Sequence, residues 1–191
     1  MGKRTHSDSK KMDILKAAKR LFAEHGVDKT SVKHIGNAAG VTDAAIYKHF
    51  PSKQVVAQEV YTQCCQTYTR IIQHYSEKEG SFADRYIQLL HQVAKIYEDD
   101  QYGLLLLSQN CQWYLASDRV EYDQLIQTLA YFIKQGIQLK EIPDQDPVIT
   151  AIMIAGTITT LATYHQTNKH VEFSSLQTAL IQSLCRLVGL N

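Results

Sequence analysis

The residues best suited to chemistry in this 191-residue chain gather between Thr30 and Lys53, in the stretch TSVKHIGNAAGVTDAAIYKHFPSK. Hydroxyls and lysines recur there near the starts of two predicted helices. Such groups supply hydrogen-bond donors and positive charge. That is the chemistry of clamping a polyanion while a few side chains reach base edges. The first helix, predicted over residues 31–39, falls short of the roughly 12–15 residues that an isolated helix needs. The second, predicted over residues 42–49, is shorter still. Gly40 between them suits the left-handed conformation that ends a helix, and Thr42 offers a capping hydroxyl. Two short helices joined by a tight glycine turn form a helix-turn-helix pattern, whose second helix enters the DNA major groove.

No bond-making constellation competes with this stretch. The chain has no glycine-rich phosphate loop, no H-E-x-x-H, no Glu-x-x-His pair and no nucleophile elbow. His165 and His170 lack a nearby carboxylate–cysteine set. Cys64, Cys65, Cys111 and Cys185 show no metal-binding spacing. They read as reduced, buried small hydrophobes, with a thiol sensor as the alternative. No enzyme, metal or cofactor is expected.

Charge isolates the same region. Residues 1–53 carry eleven Lys/Arg against five Asp/Glu, whereas residues 54–191 carry nine against fourteen. A basic first quarter on a mildly acidic body implies a polyanion partner for the first part alone, or a solvated charged face. Lys3, Arg4, Lys10 and Lys11 predict a flexible basic arm, or an ordinary solubilising tail. The 45% apolar content supplies a sizeable core. The longest apolar run, around residues 151–161, is interrupted by Gly156 and threonines, so no membrane span is expected. The opening MGKRTHSDSKK leads into no apolar segment, so neither is a signal peptide. A cytoplasmic protein is expected.

Around the central stretch, periodicity predicts helices throughout. A first helix over residues 9–25 places Ile14, Leu15, Ala18, Leu21 and Phe22 on one face, with Gly26 as its stop. Pro51 and Ser52 end the helix-turn-helix and start a helix over residues 53–75. Ser81 and Asp84 predict a capping box opening a helix to Tyr97, with Ile87, Leu90, Ala94 and Tyr97 inward. Residues 101–116 contain Leu104 to Leu107, apolar all round and hence deep. Ser117 or Asp118 caps a helix to Lys140. Asp146-Pro147 opens another to Asn168, and a capping box over residues 174–177 opens the last, ending near Val188 before Gly189. The expectation is all-α, about nine helices, divided into residues 1–52 and 53–191.

Residues 14–60 resemble the amino-terminal domain of the TetR family of transcriptional repressors. The matching positions are Ile14, Ala17, Ala18, Leu21, Phe22, Gly26, Thr30, Ile35, Ala38, Ala39, Gly40, Val41, Ile46, Tyr47, His49, Phe50, Lys53 and Val56. Gly36 departs from the usual alanine, weakening that helix by up to about 1 kcal/mol intrinsically, while the small residues at 36, 38 and 39 let the two short helices approach closely. Asp43 and Ala44 replace the usual polar-then-glycine pair. The resemblance implies a three-helix DNA-binding domain joined to a helical ligand-binding and dimerisation domain. By position it implies phosphate contacts from Thr30, Ser31, Thr42, Tyr47, His49 and Lys53. Lys33, Asp43, Ala44, Ala45 and Lys48 are the candidates for base edges.

The same resemblance implies a homodimer through the last two helices on a pseudo-palindromic operator, and release by a small hydrophobic or aromatic effector. Ala151, Ala155, Thr159 and Ala162 offer one dimer stripe, with Leu176, Leu180, Leu184 and Leu187 the other, unless both pack on the chain's own core. Aromatic and polar-tipped side chains suggest an effector pocket from Tyr61, Tyr68, Tyr97, Asn110, Trp113, Tyr114, Tyr164 and His165. The alternative function is a helical protein whose helix-turn-helix binds a protein partner and has lost DNA.

Overall fold

A computed structural model describes residues 6–109 and 120–190, with side chains from residue 9. Among the described residues there are nine helices and no strand, so the chain is all-α. They are α1 His6–His25, α2 Val32–Ala39, α3 Asp43–His49, α4 Lys53–Glu77, α5 Phe82–Asp99, α6 Tyr102–Ser108, α7 Val120–Gln138, α8 Pro147–Thr167 and α9 Phe173–Val188. Two compact units meet in sequence between Cys64 and Cys65, inside α4. Residue 53 is therefore the start of that helix, whereas the break in compactness comes later.

Local signals place most helix ends. Gly40 (φ 67°) closes α2 and Gly189 (φ 87°) closes α9, both in the left-handed region that glycine enters without a Cβ clash. Asp146 caps α8, its Oδ1 accepting the Val148 and Ile149 N–H groups at 2.9 Å, with Pro147 in the first turn. Ser81 caps α5 by accepting the Asp84 N–H at 3.1 Å. The Ser117 or Asp118 cap lies outside the described residues.

The amino-terminal unit packs α1 to α3 around Ile14, Ala18, Phe22, Ile35, Ile46 and Phe50, all buried. Lys10 and Lys11 belong to α1 and not to a flexible arm. Lys11 lies 5.5 Å from the Phe50 ring centroid and 3.7 Å from the Glu59 carboxylate, so it braces this unit. Lys3 and Arg4 lie outside the described residues.

The carboxy-terminal unit is built on an aromatic cluster. Phe82 stacks on Tyr86 at 5.5 Å and meets Phe132 at 5.1 Å. A Cβ on Gly136 would sit 2.7 Å from the Phe82 ring, so glycine is what lets α7 close onto it. The Tyr86 hydroxyl donates to the Leu184 carbonyl at 3.2 Å, tying α9 to α5. Burial pushes this phenol far above its ordinary range, with the neighbouring Cys185 adding to the shift.

Three expectations are corrected here. Ile87 is 36% exposed, because the buried face of α5 runs through Phe82, Tyr86, Leu89, Leu90, Ala94 and Tyr97. The box at residues 174–177 does not form, since α9 already starts at Phe173 and its N-cap Glu172 makes no side-chain capping bond. The Phe173 ring packs on Tyr97 at 4.7 Å and on His165 at 5.4 Å, and that packing outweighs a surface cap. Finally, Ala151 and Ala162 are buried in the chain's own core, and Ala155 and Thr159 face the same way, lining a cavity. The outward face of α8 is a different set: Ile149, Ile152, Met153 and Tyr164. On α9, Leu184 is likewise buried and Leu180 lines a second void.

Candidate nucleic-acid interface and effector cavity

In the amino-terminal unit the functional geometry starts with two capped helix ends. Ser31 has an extended backbone, and its Oγ accepts the His34 N–H at 3.1 Å. His34 Nδ1 accepts the Ser31 N–H in return, at 3.4 Å. Thr42 repeats the device, its Oγ1 accepting the Ala45 N–H at 3.2 Å. A hydroxyl that caps in this way uses a lone pair and keeps its own hydrogen to donate. Both caps face solvent, and the free amides of a helix start add partial positive charge. The arrangement can therefore hold an anion while the helices stay capped.

Around these caps, Lys33, Asp43, Ala44, Tyr47 and Lys48 are exposed, while Ala45 and His49 are half-buried. Tyr47 is 55% exposed, which rules out its reading as a core aromatic. Two expected residues behave differently. Thr30 is 2% exposed, and its hydroxyl donates to the Gly26 carbonyl at 2.8 Å. Thr30 is a structural residue of the loop after α1, its hydroxyl turned to the backbone and away from the exposed caps. Lys53 is half-exposed, and its Nζ donates to the carbonyls of Val27 at 2.7 Å and Asp28 at 3.4 Å. Its charge is thereby held in place beside the start of α4, with one N–H remaining.

The close approach expected from the small residues at 36, 38 and 39 is tightest at Gly36. A Cβ there would lie 2.8 Å from the Val41 carbonyl oxygen and 3.2 Å from Asp43 Oδ1. The Gly36 carbonyl also accepts the Val41 N–H at 2.9 Å. The helical penalty of glycine is offset by the close approach of α2 to the turn that launches α3. The packed turn adds which atoms are met, the Val41 carbonyl and the Asp43 carboxylate.

The carboxy-terminal unit holds an apolar cavity of about 60 Å³ among α4 to α8. Its walls include Ile72, Leu89, Leu107, Leu125, Leu129, Ile154 and Ile158, with Tyr68, Tyr86 and Tyr122 as the aromatic members. A second void of about 20 Å³ shares Leu90, Val93, Leu104 and Ile158 and reaches Tyr97 and Phe173. Among the described residues, no charged side chain lines either. Drug-sized sites span roughly 300–1,000 Å³, so the walls must part before a ligand of that size fits.

The expected pocket is redrawn accordingly. Tyr68 lines the main cavity and Tyr97 the smaller void. Tyr97 is 3% exposed, its hydroxyl lies 2.9 Å from His165 Nδ1 and 3.2 Å from the Ala162 carbonyl, and burial raises its pKa. His165 supports Tyr97 from behind and lines neither void. Tyr61 is buried in the amino-terminal unit, and Tyr164 is 49% exposed on the outer face of α8. Asn110, Trp113 and Tyr114 lie outside the described residues. The aliphatic walls were missed because aromatic residues drew the search. The Leu104 to Leu107 run and the apolar spacing of α7 were the usable signals.

Similarity to known proteins follows the same division. Residues 14–60 match the family described as bacterial regulatory proteins, tetR family. The transcriptional regulator AcrR of Shigella flexneri is 40% identical over 63 residues, 32% of this chain. The match spans about 29% of that relative's length. By fold, the likeness covers nearly the whole chain. The fatty acid degradation regulator FadR of Bacillus halodurans superposes with a TM-score of 0.80 at 19% identity, over 98% of this chain and 97% of that one. FadR of Bacillus subtilis, solved with stearoyl-CoA, gives 0.76 at 19% identity over 93% and 97%. Residues 14–60 are thus similar in sequence to the tetR family of bacterial regulatory proteins, and the described helices as a whole share the fold of the FadR regulators.

Proposed function

We propose that the chain is a ligand-responsive transcriptional repressor, which binds a pseudo-palindromic operator as a homodimer and is released by a small lipophile. The observation that carries this is the pair of capped, solvent-facing helix starts at Ser31 and Thr42, beside exposed Lys33, Tyr47 and Lys48. In this reading Ser31, Thr42, Tyr47, His49 and Lys53 hold phosphates. Lys33, Asp43, Ala44, Ala45 and Lys48 face base edges, with the alanines suited to thymine methyls. A protein of this kind works in the cytoplasm, where its DNA is.

One small reading head needs a second, and α8 supplies a surface for pairing. Ile149, Ile152, Met153 and Tyr164 are each about half-exposed, and a Cβ at Gly156 would meet nothing within 4 Å. Over its most apolar window this 21-residue helix has a mean hydropathy of 1.5 with 22% buried, long and apolar enough to cross a membrane by length and composition. Its other face packs into the chain's own core through Ala151, Ile154 and Ala162, which favours a second copy as the cover. Light scattering of Ile152→Glu should show a monomer where the native chain is a dimer.

The cavity's uncharged aliphatic walls suit a hydrocarbon chain, and a long-chain acyl compound, as in FadR of Bacillus subtilis, is the ligand class to try first. Release requires that the ligand bind the DNA-competent and incompetent states unequally. The test is a gel shift on DNA upstream of the chain's own gene, at about 100–150 mM salt. A shift that fades on adding a fatty acid or its CoA ester is expected. A folded protein that shifts no such DNA would sink the reading.

A further inference from the structure

The carboxy-terminal unit also carries a concavity larger than the apolar cavity. A groove of about 580 Å³ opens between the last turns of α4 and the outer face of α7. That volume is in the usual range of small-molecule sites. Its lining is unlike the cavity's: Gln73, Gln124, Gln127 and Gln135 bring four side-chain amides to one surface, with Tyr131 and Glu77 beside them. Among the described residues, no lysine or arginine lines it.

One of those amides is held. Arg85 is 5% exposed and donates to Gln135 Oε1 at 3.0 Å. An arginine only donates, so the amide atom facing it is the oxygen, and the Gln135 NH₂ group is left for the groove. The same guanidinium donates to the Ser76 carbonyl at 2.8 Å and to the Ser81 carbonyl at 3.3 Å. It also lies 5.3 Å from the Phe132 ring. The cation behind Gln135 polarises the amide and makes its N–H groups stronger donors. Tyr131 is 61% exposed and offers an aromatic face at the groove.

The mixture selects the ligand chemistry. An anion needs donors alone and would meet Glu77; a cation needs acceptors alone and would meet the Gln135 NH₂. Amides carry a donor and an acceptor side by side, which matches hydroxyl groups, each of which is also both. The ring of Tyr131 can take the C–H face of a saturated ring. We propose that this groove is a second small-molecule site, independent of the apolar cavity, and that it takes a neutral sugar.

The test is saturation-transfer NMR on the full chain with glucose, galactose and trehalose, and with glucose 6-phosphate and glucosamine as charged comparisons. At least one neutral sugar should bind, with Kd in about the millimolar range expected of an open, solvated site. Tyr131→Ala and Gln127→Ala, both at exposed positions, should each weaken that binding at least tenfold while helical circular dichroism stays unchanged. Three results would overturn the proposal. They are no transfer to any neutral sugar, tighter binding of either charged sugar, or neutral-sugar binding that survives in whichever of the two variants folds.

Discussion

The two units of this chain build their sites in opposite ways. In the amino-terminal unit, the two capping hydroxyls face water, and each is placed by a partner three residues away: Ser31 by His34, Thr42 by Ala45. In the carboxy-terminal unit, the cavity is what remains between side chains far apart in sequence, from Ile72 to Ile158. The first kind of site survives as long as its own turns are capped. The second exists only when the whole unit is packed, and its shape shifts with any wall residue. In the proposed function, a DNA-reading surface gains from rigidity, while a ligand-sensing interior must be able to part.

That contrast can be broken experimentally, and the largest effect belongs to the interior. Phe132→Ala should destabilise the chain by about 3–5 kcal/mol, read by urea denaturation, since it empties the centre of the aromatic cluster. Under native conditions the folded fraction should still shift DNA. If DNA binding falls as far as stability does, the two units are not separable. Gly136→Ala comes next, at about 1–3 kcal/mol, because the new methyl must displace the Phe82 ring.

Gly36→Ala asks the same question of the other unit. Overpacking against Val41 should cost about 1–3 kcal/mol, partly offset by about 1 kcal/mol of better helix propensity. Stability should therefore fall by about 0–2 kcal/mol, whereas DNA affinity in a gel shift should drop at least tenfold as α3 is pushed off its turn. An unchanged affinity would show that the approach of α2 to this turn does not set the geometry. The smallest effects separate the hydroxyls. Thr30→Val and Thr42→Val should each cost about 1 kcal/mol by thermal melting, one from a lost internal bond and one from a lost cap. Only Thr42→Val should weaken DNA binding. Equal weakening by both would restore Thr30 to the contact surface.

How much was legible beforehand follows from the same division. Ser31, Gly40, Thr42, Ser81, Asp146 and Gly189 act through capping or left-handed turns, which depend on a few neighbouring residues, and so they could be read from letters alone. Ile87 and the box at residues 174–177 went the other way, because a helix face and a helix start were decided by Phe82, Tyr97 and Phe173 packing across the chain. Thr30 is intermediate. Its type suits a phosphate contact, but whether its hydroxyl faces water depends on the loop after α1 folding over it.

By itself, then, the sequence determined that the chain is helical, where most helices start and stop, and that its basic first quarter carries a capped helix-turn-helix. Those are outcomes of local bonding and of charge. Only the tertiary structure decided which atoms Gly36 meets, that the alanine stripe of α8 faces inward while Ile149, Ile152 and Met153 face out, and that the cavity walls are mainly aliphatic. Each of these depends on which distant side chain arrives at a given surface, and spacing along one helix does not carry that information.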